Sequence, residues 1–335
     1  PPPTQTHTFI ASSAASDVYK RQVIMFSKVL SKSVVSVLGF VFVLSLCIGL
    51  PVPKAQAEDC NLFGCVDDCE FTQDFRLEDC KFKTIGINPY FILKPGYRLV
   101  LESEDEKSVE TVLRDTKWIK LKLDGRWRWI KTRVVEERAF EWDDDEMEWV
   151  TIEISLNYFA ICQKTNAVYY FGELSRDCPA GFDENDVCTG TGEDGESTEG
   201  SWVAGKNGAM PGLIMPGTPL KGARYFQEIA AADEAVDRGE IVELGLDVEV
   251  DAGDFSGCIE IYDTNPSEAD DGGCIGENDA KLYCPGVGLV QDQDLELVRY
   301  GFVGRDKDDG DDDDDDDDDD DRRWRKKWGN HHHWF

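Results

Sequence analysis

The chain has 335 residues, 41% of them hydrophobic, and 68 acidic against 35 basic side chains give a formal charge of −33. That hydrophobic share suffices for a packed core. The charge argues against nucleic acid as a partner and disfavours anionic membranes, whose phosphates demand the opposite sign, and favours cationic partners, divalent ions above all.

In chain order, residues 1–24 include Ser12–Gln22 (SSAASDVYKRQ), which reads as translated adaptor sequence, so fold reasoning starts at Met25. Val34–Leu50 is an uncharged, mostly apolar run, preceded by Lys28 and Lys32 and followed by Ala55-Gln56-Ala57. These three parts make residues 25–57 a secretory signal with cleavage before Glu58. A membrane anchor would need roughly 20 apolar residues. The expected location is therefore exported, either periplasmic or extracellular. Cys47 lies in the signal, leaving Cys60, Cys65, Cys69, Cys80, Cys162, Cys178, Cys188, Cys258, Cys274 and Cys284. An even number in an exported chain implies disulfides. The first four lack the C-x2-C spacing of zinc sites and have no nearby histidine. Local pairings are expected for Cys178 with Cys188 and for one bridge among Cys258, Cys274 and Cys284, with other connectivity open.

Residues 58–84 form a Cys-rich lead-in, and a β-domain is expected over 85–304. Within it, Asn88–Ser103 gives Pro-Gly punctuation and then a strand. Thr116–Trp142 alternates apolar and charged residues on both sides of Asp124-Gly125, the pattern of a hairpin. A three-residue loop, Asp124–Arg126, would pair Leu123 with Trp127 and Leu121 with Trp129, gathering the apolar side chains on one face. The expectation is thus aromatics inward and Lys and Arg outward. The interleaved tryptophans and cations also fit single-stranded nucleic-acid binding, which the global charge disfavours.

Further strands are expected at Glu148–Cys162, Val168–Leu174, near Arg224–Ile229, and in four runs between Glu240 and Val303. A polar, Gly-rich loop covers 175–200, and Ala230–Arg238 is the best short helix candidate. The fold class is mainly β: an antiparallel meander forming a curled sheet or half-barrel, with disordered termini. Residues 305–335 are the tail, with eleven aspartates from Asp311 to Asp321. Like charges extend such a segment, which condenses cations without selecting among them.

Four stretches, NPYFILKPG, VYYFGE, GSWVAGKNGAMPGLIMP and LYCPGVGLV, resemble in this order an uncharacterised group of secreted bacterial proteins. The resemblance covers about Asn88–Val303. That group is similar to LolA-like half-barrels, and the likeness implies an antiparallel sheet curled around an apolar groove, sometimes for a lipid. It supplies no catalytic residues.

The only histidines are His7, His331, His332 and His333, so the β-domain contains none. Histidine-based triads, zinc hydrolysis and neutral-pH imidazole catalysis are excluded there. A Gly-rich match at Gly190–Gly195 lies in a polar loop and carries two acids where a phosphate would sit, against a nucleotide role. Glu173, after the aromatics of VYYFGE, is the one weak catalytic candidate, for carboxylate chemistry. Weak metal candidates are Asp143, Asp144 and Asp145 in one acidic turn, and Asp270 and Asp271 in another. Ligand-groove candidates are Trp127, Trp129, Tyr170, Trp202 and Tyr225. The expected role is non-catalytic binding of an apolar ligand, such as a lipid, or of a protein partner. The alternatives are a carboxylate-dependent hydrolase of extracellular polymers and a calcium-associated structural or adhesive protein. No cofactor is expected beyond weakly bound calcium.

Overall fold

A computed structural model gives the structure, described for residues 60–61, 64–65, 70–266 and 279–303. The signal segment, the tail, Cys69, Cys274, Asp270 and Asp271 lie outside the described residues. Cys60 and Cys65 stand opposite each other in a two-residue strand pair, Cys60–Asn61 with Gly64–Cys65.

Eleven strands carry the fold: β1 (Tyr97–Glu102), β2 (Glu106–Leu123), β3 (Arg126–Asp143), β4 (Glu148–Cys162), β5 (Val168–Asp177), β6 (Met210–Met215), β7 (Arg238–Val250), β8 (Gly253–Thr264), β9 (Asp279–Cys284), β10 (Gly288–Asp292) and β11 (Leu295–Phe302). Every pairing between them is antiparallel, and the spatial order is β7-β8-β9-β10-β11-β1-β2-β3-β4-β5-β6. Neighbours in sequence are thus paired in space, except that β6 and β7 lie at the two ends of the order and the chain's return sets β11 beside β1. The short strand Arg224–Phe226 adds to β7 at one edge, and Glu228–Ile229 adds to β6 at the other. A single residue, Gln227, joins those two edges. The sheet therefore curls almost into a barrel, as right-handed strand twist favours, and few unpaired edge groups remain. The meander, the curl and the antiparallel pairing agree with the sequence reading.

Side-chain alternation explains the burial. On β2, Ile119, Leu121 and Leu123 are buried while Lys120 and Lys122 are exposed, a period of two. The apolar face is covered by other parts of the chain. Arg128 Nη1 donates to the Glu78 carbonyl at 3.0 Å, and a Cβ at Gly205 would run into the Lys120 carbonyl. Leu77, Trp202 and Ala204 share the core with Ile119, Leu121 and Ile130. Residues 70–84 accordingly pack on the domain: Thr72 bridges to Tyr225, Phe82 pairs with Cys162, and Cys80 is bonded to Cys162. Two further disulfides are Cys178–Cys188 and Cys258–Cys284, the local pairings expected from spacing.

Two expectations are corrected. The β2–β3 turn has two residues, Asp124 (φ 48°) and Gly125 (φ 72°), both left-handed as a type I′ turn requires. The register is then Leu123 with Arg126, Lys122 with Trp127, Lys120 with Trp129 and Trp118 with Lys131. Trp127 and Trp129 stand beside lysines on the exposed face, not among the leucines. The twist match of a primed turn sets the register here, and gathering apolar residues does not. The helix candidate Ala230–Arg238 is a single 3-10 turn, Ala231–Asp233, followed by the start of β7.

Candidate functional site

The curled sheet encloses a cavity of about 180 Å³. Part of its wall is apolar, from Phe91, Leu99, Val112, Val135, Phe159 and Leu289. The rest is dominated by carboxylates. Glu110 on β2 and Glu137 on β3 are direct cross-strand partners, and both line the cavity. Glu153 on β4 and Glu173 and Asp177 on β5 continue the acidic wall. Glu228, Asp237, Asp263 and Asp292 complete it, and Lys281 on β9 is the one lysine or arginine on the lining among the described residues.

A local irregularity brings the β5 residues in. The β4–β5 register shifts between Tyr170 and Glu173. Gly172 sits inside that shift at φ 132°, where a Cβ would run into the Trp202 carbonyl. Only glycine fits so close an approach. The bulge changes the alternation, so Tyr170 and Glu173, three residues apart, both reach the cavity. The Tyr170 hydroxyl lies against Asn157 Oδ1 and is 2.9 Å from Glu173 Oε2. Burial, with the charge of Glu173 next, holds that phenol well above its ordinary range.

Lys281 is engaged within the wall: its Nζ is 3.1 Å from Asp263 Oδ2 and 3.5 Å from Asp292 Oδ2. Burial lowers its proton affinity, but Asp292 and then Asp263 outweigh burial and keep it above the usual lysine range. Asp292 is raised by burial against the pull of Lys281. Its Oδ1 is buried with no hydrogen-bond partner among the described residues. Across the cavity, burial pushes Glu110 and Glu137 each up to about 7, with Lys281 opposing the rise. The charge of Glu110 adds to the rise at Glu137, whose Oε1 accepts a hydrogen bond from Ser108 Oγ at 3.3 Å. Two carboxylates facing each other in a poorly hydrated wall resist ionising together. Glu153 is held by hydroxyls, its Oε1 accepting from Ser155 Oγ at 2.5 Å and Ser175 Oγ at 3.2 Å.

Of the residues singled out from sequence, Glu173 and Tyr170 line the cavity. Trp202 is buried behind the wall, its ring centre 5.4 Å from that of Tyr170 in an edge-on contact and its Nε1 donating to Glu228 Oε1 at 3.1 Å. Tyr225 is a core residue. Trp127 and Trp129 stand outside, 60% and 63% exposed. Asp143 caps its own turn, its Oδ1 accepting from the backbone N–H of Asp145 and Glu146. Asp144 and Asp145 are exposed in that turn. Among the described residues, no group of three or more His, Cys, Asp or Glu is placed to hold a metal ion. Sequence reasoning missed Glu110 and Glu137. For Glu110 the available signal was position, an acid among β-branched residues in SVETV, where an inward-facing carboxylate is costly; Glu137, between Glu136 and Arg138, carried no such signal.

Comparison of the chain with protein-family models, with curated proteins and with solved structures finds no match in any of the three.

Proposed function

We propose that the protein is an exported, non-catalytic binding protein whose cavity takes a small organic cation. The observation that carries this reading is the lining: nine carboxylates face one lysine that is already engaged by Asp263 and Asp292. An ammonium group entering this wall gains charge-assisted hydrogen bonds and relieves the repulsion between Glu110 and Glu137. A lipid chain would instead strip water from those carboxylates without replacing their partners, a costly exchange. The three disulfides among the described residues support an oxidising compartment outside the cytoplasm, in keeping with the signal segment.

The test is titration calorimetry of the full mature chain at pH 8 with putrescine as the probe, and with calcium and a fatty acid as separate arms. Putrescine is expected to bind. Its affinity is expected to rise from pH 6 to pH 8, as Glu110 and Glu137 lose their protons. Replacing both by glutamine should weaken it about tenfold or more. No diamine binding, or binding indifferent to that replacement, overturns the reading. Preference for the fatty acid would restore the apolar groove, and preference for calcium a calcium-associated role.

The facing pair supports a second reading, a carboxylate-dependent hydrolase. Burial raises Glu110 and Glu137 each to about 7, so the pair titrates near neutral pH, where acid–base cleavage of a glycosidic bond uses one protonated and one ionised carboxyl. Release of reducing ends from an extracellular polysaccharide, abolished by Glu137→Gln, is the outcome that would select it.

A further inference from the structure

We infer that the outer face of the β2–β3 hairpin beyond Arg133 is a docking surface for an extended anionic polysaccharide, such as a polyuronate. Three successive rungs of the ladder each pair one tryptophan with one lysine: Trp118 with Lys131, Lys120 with Trp129, and Lys122 with Trp127. Cross-strand partners share a face, so all six side chains are on the same side of the sheet. The tryptophans are 56%, 63% and 60% exposed in that order. Three such rings together form an apolar patch that a solitary soluble domain rarely shows.

The cations are set among the rings. Lys120 Nζ is 4.9 Å from the Trp127 ring centre and 5.9 Å from that of Trp129, and Lys131 Nζ is 5.8 Å from that of Trp118. Residues 114–133 carry eight lysines and arginines against two aspartates, in a chain whose overall charge is −33. Of these, Lys120, Lys122 and Lys131 share the tryptophan face with no acid among its three rungs, which points to an anionic partner.

The form of the array selects the kind of anion. Rungs two residues apart are about 7 Å apart along the strand, so the rings make a row and not a pocket. A row of flat apolar rings suits the faces of successive sugars, and the interposed ammonium groups suit their carboxylates. A membrane-inserting hairpin would carry apolar residues at its tip, where this one has Asp124 and Gly125. The surface also differs in kind from the cavity: its occupant is an anion and the cavity's a cation.

Affinity electrophoresis of the full chain in gels containing polygalacturonate tests the proposal. Retardation is expected with polygalacturonate and not with neutral dextran. The double variant W127A/W129A should bind about tenfold or more weakly, and W127Y/W129Y should recover most of the loss. K120Q/K122Q should flatten the dependence on salt. It is overturned by no retardation, by retardation unchanged in W127A/W129A, or by soluble poly-aspartate competing as well as polygalacturonate, which would mean that charge alone is read. Stronger binding to phosphatidylglycerol vesicles than to polygalacturonate would overturn it in favour of a membrane.

Discussion

The near and far halves of the β2–β3 hairpin use the same two strands and the same face for opposite ends. In the near half, Glu110, Val112, Val135 and Glu137 look into the cavity. In the far half, the same alternation presents Trp118, Lys120, Lys122, Trp127, Trp129 and Lys131, and all of these are exposed. Acids are enclosed and aromatics are in water, the reverse of ordinary partition. What differs is the cover. In the near half the sheet curls over its own face. In the far half the curl has ended, and segments 77–80 and 202–209 cover the opposite face instead. Period-two patterning tells which residues share a side, and the rest of the chain decides which side is inside.

Arg133 marks the change. It is buried, its Nη1 reaches the carbonyls of Leu113, Arg114 and Asp115 at 3.2, 2.6 and 3.2 Å, and its Nε donates to Thr84 O at 3.0 Å. Those three β2 residues are the ones where the register with β3 shifts, between Val112 and Thr116. A guanidinium thus holds the irregular step between the two halves, and burial lowers its pKa.

The contrast can be broken at several points. The largest effect is expected from removing Cys80–Cys162, which fastens the covering segment of the far half across 82 residues. Replacing both by serine should cost about 2–5 kcal/mol in denaturant unfolding. Amide exchange should rise more across 117–131 than across 106–112, and a uniform rise would mean that the halves are not separately supported. Next, Arg133→Met should cost about 2–3 kcal/mol by orphaning the step carbonyls, read by thermal melting.

Glu137→Gln should act in the opposite direction. Its folded pKa of about 7 lies above the ordinary 4.5. The folded state therefore holds extra protons between those values, and stability falls as pH rises from about 4.5 through 7. The variant should gain about 1–3 kcal/mol at pH 8 and nothing near pH 4, as followed by melting across that range. Equal stabilisation at both pH values would remove the electrostatic explanation. Smallest, W127A/W129A should shift stability by no more than about 0.5 kcal/mol, because the rings are exposed. A large loss would make the row a structural element.

Much of the near half was legible in the sequence. Alternation gave the strands, turn residues gave the meander, and cysteine spacing gave Cys178–Cys188 and narrowed a second bridge to Cys258, Cys274 and Cys284. Tyr170 and Glu173 were found because aromatics precede an acid at a strand end. The acidic cavity was not legible, since with 68 acids no single carboxylate stands out until the sheet closes. The far half was misread because its register depends on the φ values of Asp124 and Gly125, and one residue of slip exchanges the two faces. Cys80 with Cys162 spans too much chain for spacing to suggest.

The bond between Cys258 and Cys284 has its own consequence. It joins β8 to β9 one step beyond the paired Ile259 and Tyr283. A protease that cuts the chain anywhere between these cysteines leaves the two fragments tethered. The cut protein would migrate as a single species, heavier by one water, until a reductant released two pieces. If the protein is exported as proposed, a nick there would be survivable damage.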